Sequence, residues 1–143
     1  MLKLEHLGIA VRNLADAEHL FTTLLGSGPY KQEEVASEQV MTSFFRVGEV
    51  KLELLEATSE QSAIAGFIQK RGEGLHHIAF EVRDIGEEMN RLRDLGFEVL
   101  FEHPRPGADN KLVNFIHPKS AGGVLVEVCQ ENPENKSSEF KNE

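Results

Sequence analysis

One stretch of this chain occurs twice. Leu4-Glu5-His6-Leu7-Gly8-Ile9-Ala10-Val11-Arg12-Asn13-Leu14 returns as Leu75-His76-His77-Ile78-Ala79-Phe80-Glu81-Val82-Arg83-Asp84-Ile85, which aligns His6 with His77, Val11-Arg12 with Val82-Arg83 and Asn13 with Asp84. Toward the end of each half, Lys51-Leu52-Glu53-Leu54-Leu55 is matched by Leu125-Val126-Glu127-Val128-Cys129, an acid inside an apolar run in both cases. Such a duplication implies two copies of one supersecondary unit, and a half-chain of this size buries too little apolar surface to stand alone. The copies are therefore expected to share one curved sheet, with ligands in its concavity.

Each copy reads as strand, helix, then three strands. In the first, residues 4–11 form a short apolar strand and Asn13 caps a helix over 15–25. Its apolar positions Ala17, Leu20, Phe21, Leu24 and Leu25 recur at helical spacing, and Gly26 stops it. Strands follow at 31–35, 40–47 and 50–55, the last two joined by a hairpin at Gly48-Glu49. A linking helix over 59–71, with Ile64, Phe67 and Ile68 inward, ends at Gly72. The second copy repeats the pattern: a strand over 75–82, Asp84 as cap, a helix over 85–95 with Met89, Leu92 and Leu95 inward, then strands at 97–101, 111–117 and 123–129. The predicted fold class is α+β: two tandem βαβββ repeats, about 2–57 and 74–130, forming a curved, partly closed mixed sheet around a metal-binding cleft. A single domain spans 1–130, and the polar tail 131–143 lacks any period and is expected to be disordered.

Composition removes several function classes. Acids outnumber bases 24 to 15, for a net charge of −9, so nucleic acid is excluded as a partner, since phosphate binding needs clustered cations. A local basic spot for a small phosphorylated ligand is still compatible. One cysteine, Cys129, allows no internal disulfide. No apolar run approaches the roughly 18 to 20 residues that cross a bilayer, and the first residues carry no secretory signal, so no membrane role and a cytoplasmic location are expected.

A histidine in a buried strand is most simply a packed core residue. Buried glutamates are different, because an ionised carboxylate in an apolar interior costs several kcal/mol unless it is paired or bound to a cation. His6, Glu53, His77 and Glu127, at matching places in both repeats, therefore read as ligands of one divalent metal ion: Co²⁺, Mn²⁺, Zn²⁺, Fe²⁺ or Mg²⁺. Cys129 shares the strand of Glu127 and reads as a small packed hydrophobe or a neighbour of the site. His19 and His103 read as surface residues. His76 is assigned to the opposite face of its strand from His77, since side chains alternate. In His117-Pro118-Lys119-Ser120, the alternatives are an ordinary turn, or a cation and a hydroxyl offered to a phosphate or carboxylate by Lys119 and Ser120.

The doubled unit with its two histidines and two glutamates resembles the vicinal oxygen chelate superfamily over nearly all of 2–130. Four finer motifs are similar to those of the methylmalonyl-CoA epimerase family. They are Leu4-Glu5-His6-Leu7-Gly8-Ile9-Ala10-Val11, Lys51-Leu52-Glu53-Leu54-Leu55-Glu56, Gly72-Glu73-Gly74-Leu75-His76-His77-Ile78-Ala79-Phe80, and His117-Pro118-Lys119-Ser120 followed by Gly123-Val124-Leu125-Val126-Glu127. The resemblance implies an isomerase of propionate metabolism that interconverts (R)- and (S)-methylmalonyl-CoA through an enolate. It also implies one divalent metal per chain, an acyl-CoA substrate and a homodimer. It gives Glu127 the roles of ligand and acid/base. The second base is sought on the strand equivalent to residues 40–45, which holds no acid here, so Glu53, then Glu56, then a bound water is expected to serve. Three other activities share this fold. A glyoxalase I-type isomerase would act on a glutathione hemithioacetal. An iron-dependent ring-cleaving oxygenase would need only three protein ligands. A ligand-sequestering resistance protein would need no tetrad.

Overall fold

The computed structural model describes residues 1–133. Among them the chain runs β1 (Lys3–Ala10), α1 (Leu14–Leu25), β2 (Lys31–Val35), β3 (Val40–Val47), β4 (Val50–Ala57), α2 (Ala63–Arg71), β5 (Gly74–Glu81), α3 (Ile85–Asp94), β6 (Arg105–Pro106), β7 (Lys111–Ile116) and β8 (Val126–Glu131). This is the expected α+β order, strand-helix-three strands given twice around a linking helix. The tail assigned to disorder lies outside the described residues, apart from its first three, of which Glu131 ends β8. None of the described helices is long and apolar enough to cross a membrane. The chain forms two compact units, Leu4–Ala79 and the residues from Phe80 together with Met1–Lys3.

In the unit Leu4–Ala79 the strands lie in the order β2-β3-β4-β1-β5. β1 pairs with β4 in parallel, and β4 with β3 in an antiparallel hairpin that turns at Gly48, whose φ of 61° a side chain would resist. Alternation then divides the sheet into two faces. One carries Ile9 and Val11 of β1, Met41 and Phe45 of β3, and Leu52 and Leu54 of β4, all packed against Leu14, Ala17, Phe21 and Leu25 of α1. Asn13 starts α1 by accepting the Asp16 N–H, a cap worth about 1 kcal/mol, and Gly26 stops it at φ 79°. Leu20 and Leu24 share the helical spacing but not the burial: they are 61% and 70% exposed. α2, capped by Ser62, packs Ile64, Phe67 and Ile68 on the other face, against Ala10, Val40 and Leu55.

The remaining unit has the strand order β8-β7-β6. Val82, Ile85, Met89, Leu92, Ile116 and Val128 form its core, and Gln130 accepts the Ile85 N–H to pin the start of α3, which Asp84 also caps. Leu95, expected inward, ends the helix and is 63% exposed. The strand expected over 97–101 is reduced to one bridge, Val99 with Ile116. The reason is Asn114: its buried side chain accepts from the Phe101 N–H and donates to the Phe101 carbonyl, taking the backbone groups that a ladder would use. The last strand begins at Val126 rather than 123, because Gly122 and Gly123 hold positive φ just before it.

Candidate metal centre

The register brings three of the four expected residues together within one unit. Along β1 and β4, His6 stands opposite Lys51 and Gly8 opposite Glu53, and Phe44 of β3 flanks Glu53 on its far side. His6, Gly8, Lys51 and Glu53 therefore share the sheet face that α2 covers at one end. Gly8 leaves room for the ring of His77 from β5. A Cβ added at Gly8 would overlap the imidazole, lying 2.7 Å from Nε2 and closer still to Nδ1 and Cε1. His6, Glu53 and His77 are all buried.

The imidazoles are oriented as well as adjacent. His6 Nε2 and His77 Nε2 lie 3.0 Å apart, with the rings edge to face. On the outer side of His6, Nδ1 meets Glu53 Oε2 at 2.7 Å. On the outer side of His77, Nδ1 meets His76 Nδ1 at 3.0 Å. The His76 side chain thus turns back toward its neighbour instead of keeping to the opposite face, and the edge of Phe67 from α2 holds it there at a centroid distance of 4.9 Å. Burial drives the His76 pKa down to about 4. Burial, and then the nearness of His6 and His76, holds His77 well below the ordinary histidine range. Both rings are neutral at pH 7.

These donors fit a divalent cation. A proton on His6 Nδ1, facing Glu53 Oε2 at 2.7 Å, leaves the Nε2 lone pair for a ligand. Two nitrogens bound at about 2.1 Å with a right angle between them stand ~3.0 Å apart, the separation found here. Before an ion binds, a single N–H···N hydrogen bond between the rings spans the same distance, and the ion takes the place of that proton.

Two acids that the sequence pattern does not single out carry a buried carboxylate oxygen: Glu5, beside His6, and Glu38, in the turn before β3. Glu5 is buried, with Oε1 3.0 Å from Lys51 Nζ and 3.6 Å from His6 Nδ1. One ligand atom each from Glu5, His6 and Glu53 falls within 4.8 Å of the others. As the residue before His6 in a strand, Glu5 is expected on the opposite face, and the fold brings its carboxylate back. Glu38, in the 3-10 turn Ala36–Glu38 ahead of β3, has a buried Oε1 with no hydrogen-bond partner among the described residues. It lies just upstream of the stretch searched for an acid, and nothing in Glu33-Glu34-Val35-Ala36-Ser37-Glu38 distinguishes it from its neighbours.

The remaining expected residues lie in the other unit. Glu127 is buried in β8, opposite Phe115 of β7, and Cys129, two residues further along the strand, is fully buried. Lys119 and Ser120 occupy the 3-10 turn Pro118–Ser120. There His117 Nδ1 accepts the Lys119 N–H, and Ser120 Oγ accepts the Glu98 N–H at 2.9 Å. Lys119 is exposed. The turn is a tightly bonded corner whose cation faces outward.

Residues 5–115 match the profile of the Glyoxalase/Bleomycin resistance protein/Dioxygenase superfamily, and the chain belongs to it. It is 38% identical over 130 residues to the ethylmalonyl-CoA/methylmalonyl-CoA epimerase of Cereibacter sphaeroides, covering 90% of this chain and 97% of that one. It is 37% identical to the human mitochondrial methylmalonyl-CoA epimerase over 90% of this chain and 73% of the relative. A methylmalonyl-CoA epimerase solved in complex with methylmalonyl-CoA and NH4+ superposes with a TM-score of 0.89 at 31% identity, over 93% of this chain and 96% of that one. Within the superfamily, the chain is a member of the methylmalonyl-CoA epimerase family, a family of isomerases.

Proposed function

We propose that this protein is a metal-dependent epimerase that interconverts (R)- and (S)-methylmalonyl-CoA by removing and returning the proton at C2. The observation that carries the reading is the pair of buried imidazoles, Nε2 to Nε2 at 3.0 Å, with a buried glutamate on the outer nitrogen of His6. Relatives named for this activity across nearly the whole chain support it.

In this reading His6, His77, Glu53 and Glu127 hold the cation, with the Glu53 carboxylate turned from His6 Nδ1 to the Nε2 side when the ion is bound. Bound there, a Co²⁺, Mn²⁺, Zn²⁺ or Mg²⁺ ion supplies Lewis acidity for the negative charge that develops on the thioester oxygen, worth several kcal/mol. The C2 proton lies between a thioester and a carboxylate, and its removal leaves a planar enolate. Inversion requires a proton donor on each face of that plane. Glu127 serves as one acid/base, and a well-placed carboxylate contributes roughly 10² to 10⁴ in rate. Glu53, the first choice for the other, has one oxygen, Oε2, against His6 Nδ1 at 2.7 Å. Glu38, with its buried and unmatched oxygen, joins Glu53 and Glu56 as a candidate for that second role. Lys119 and Ser120 are proposed to meet the phosphates or carboxylate of the acyl-CoA. A homodimer in the cytoplasm completes the proposal.

The test is an assay of one stereoisomer. Incubation with (S)-methylmalonyl-CoA and a divalent metal is expected to give the equilibrium mixture, while methylglyoxal with glutathione is left unchanged. Turnover of the hemithioacetal without epimerisation overturns the proposal.

A further inference from the structure

The two histidines facing each other across 3.0 Å are supported from behind in different ways. His6 has Glu53 on its outer nitrogen, a carboxylate from a neighbouring strand. Behind His77, the residue immediately before it in sequence, His76, folds back to bring Nδ1 within 3.0 Å of His77 Nδ1. The equivalent residue of the first repeat, Glu5, folds back in the same sense and places Oε1 3.6 Å from His6 Nδ1. In both repeats, then, the side chain before the paired histidine turns against strand alternation toward the Nδ1 of that histidine.

We infer that His76 is a positioning residue: its Nδ1 accepts the His77 Nδ1–H, which fixes the tautomer that leaves the His77 Nε2 lone pair pointing at His6. The contact holds a single proton, and only with that proton on His77 can both inner nitrogens be donors to one ion. Phe67 of α2 keeps the His76 ring in place, edge to face at 4.9 Å, so the linking helix between the repeats enters the arrangement through one aromatic contact. The inference rests on the metal-centre reading above and adds a residue to it. Partners of this kind typically change metal affinity by about 10- to 100-fold.

The test compares two substitutions. His76→Phe keeps an aromatic ring against Phe67 and removes both nitrogens; His76→Asn puts an amide oxygen near the place of Nδ1. Zinc affinity is read by competition titration, melting of the metal-free proteins reports folding, and ¹⁵N imidazole spectra of the zinc-loaded proteins report the His77 tautomer. The expected result is a loss of about 10- to 100-fold in affinity for His76→Phe, recovery to within about threefold for His76→Asn, and a wild-type spectrum with the His77 proton on Nδ1. Wild-type affinity in His76→Phe, or no recovery in His76→Asn, overturns the inference while leaving the metal centre standing. Failure of the wild-type protein to bind zinc overturns both.

Discussion

His6 Nε2 and His77 Nε2 are 3.0 Å apart, and each ring turns its Nδ1 to a different partner, Glu53 for His6 and His76 for His77. The duplication preserved the inner geometry and changed what holds it. The same pairing explains why a glycine stands between them in the sheet, since the ring of His77 occupies the space where a side chain at position 8 would be.

Gly8→Ala is expected to push His77 off its position. Overpacking of this kind costs about 1 to 3 kcal/mol, and the displaced atoms belong to the proposed ligand. Metal affinity falls at least about tenfold, since 1.4 kcal/mol is a factor of ten. Calorimetric titration with zinc checks it; an affinity equal to wild type means the ring does not need this space.

The Glu5–Lys51 pair is nearly inaccessible to water, with the Lys51 side chain 12% exposed. Lys51→Met removes the cation and leaves a buried carboxylate close to Glu53, which is expected to lower the unfolding free energy by about 3 to 5 kcal/mol. The double variant Glu5→Gln with Lys51→Met regains most of that loss. Urea unfolding of the three proteins measures the coupling; additive effects would show that the pair does not act as a unit.

His76 and His77 both titrate lower in the folded protein than in the unfolded chain, His76 falling from 6.5 to about 4 and His77 also well below 6.5. Below pH 6.5 the unfolded chain takes up protons that the folded protein refuses. Their contribution to stability is therefore complete above pH 6.5 and is lost as the pH falls toward 4, at up to about 1.4 kcal/mol per unit for each histidine. Denaturation of metal-free protein between pH 7 and 5 reads this slope, and His76→Phe is expected to reduce it. A flat profile contradicts the neutral, buried state of these rings.

Glu127→Gln is expected to abolish exchange of the C2 proton while methylmalonyl-CoA still binds, a loss of roughly 10² to 10⁴ in rate. The second acid/base is separated by two further variants. If Glu38→Gln slows epimerisation with metal retained, whereas Glu53→Gln chiefly weakens metal binding, the role belongs to Glu38. Normal epimerisation by Glu38→Gln returns it to Glu53 or Glu56.

The repeat made most of the fold legible. Caps at Asn13, Asp84 and the stop at Gly26 stand where local chemistry puts them, and the strands of the first repeat follow from alternation. Periodicity failed where burial depends on distant residues: Leu20 and Leu24 have core spacing, yet only Phe21 and Leu25 find a sheet to pack on. It failed again at 97–101, where one side chain, Asn114, replaces a ladder. In the candidate site, equivalence between repeats singled out His6, Glu53 and His77, which the fold brings together within one unit. Alternation, the rule that placed His76 on the far side, concealed that its side chain turns back, and gives no hint that Glu5 does the same. Glu38 carried no signal at all, because its burial is created by the turn before β3.

The most direct measurement is proton NMR of methylmalonyl-CoA in D₂O with the metal-stripped protein, before and after a divalent cation is restored. The expected result is negligible loss of the C2 proton signal without metal, and rapid deuterium incorporation with it that Gly8→Ala suppresses in step with metal affinity. Equal exchange in the stripped and restored protein, or none in either, would contradict a cation held by His6 and His77 as the source of the acidity of C2.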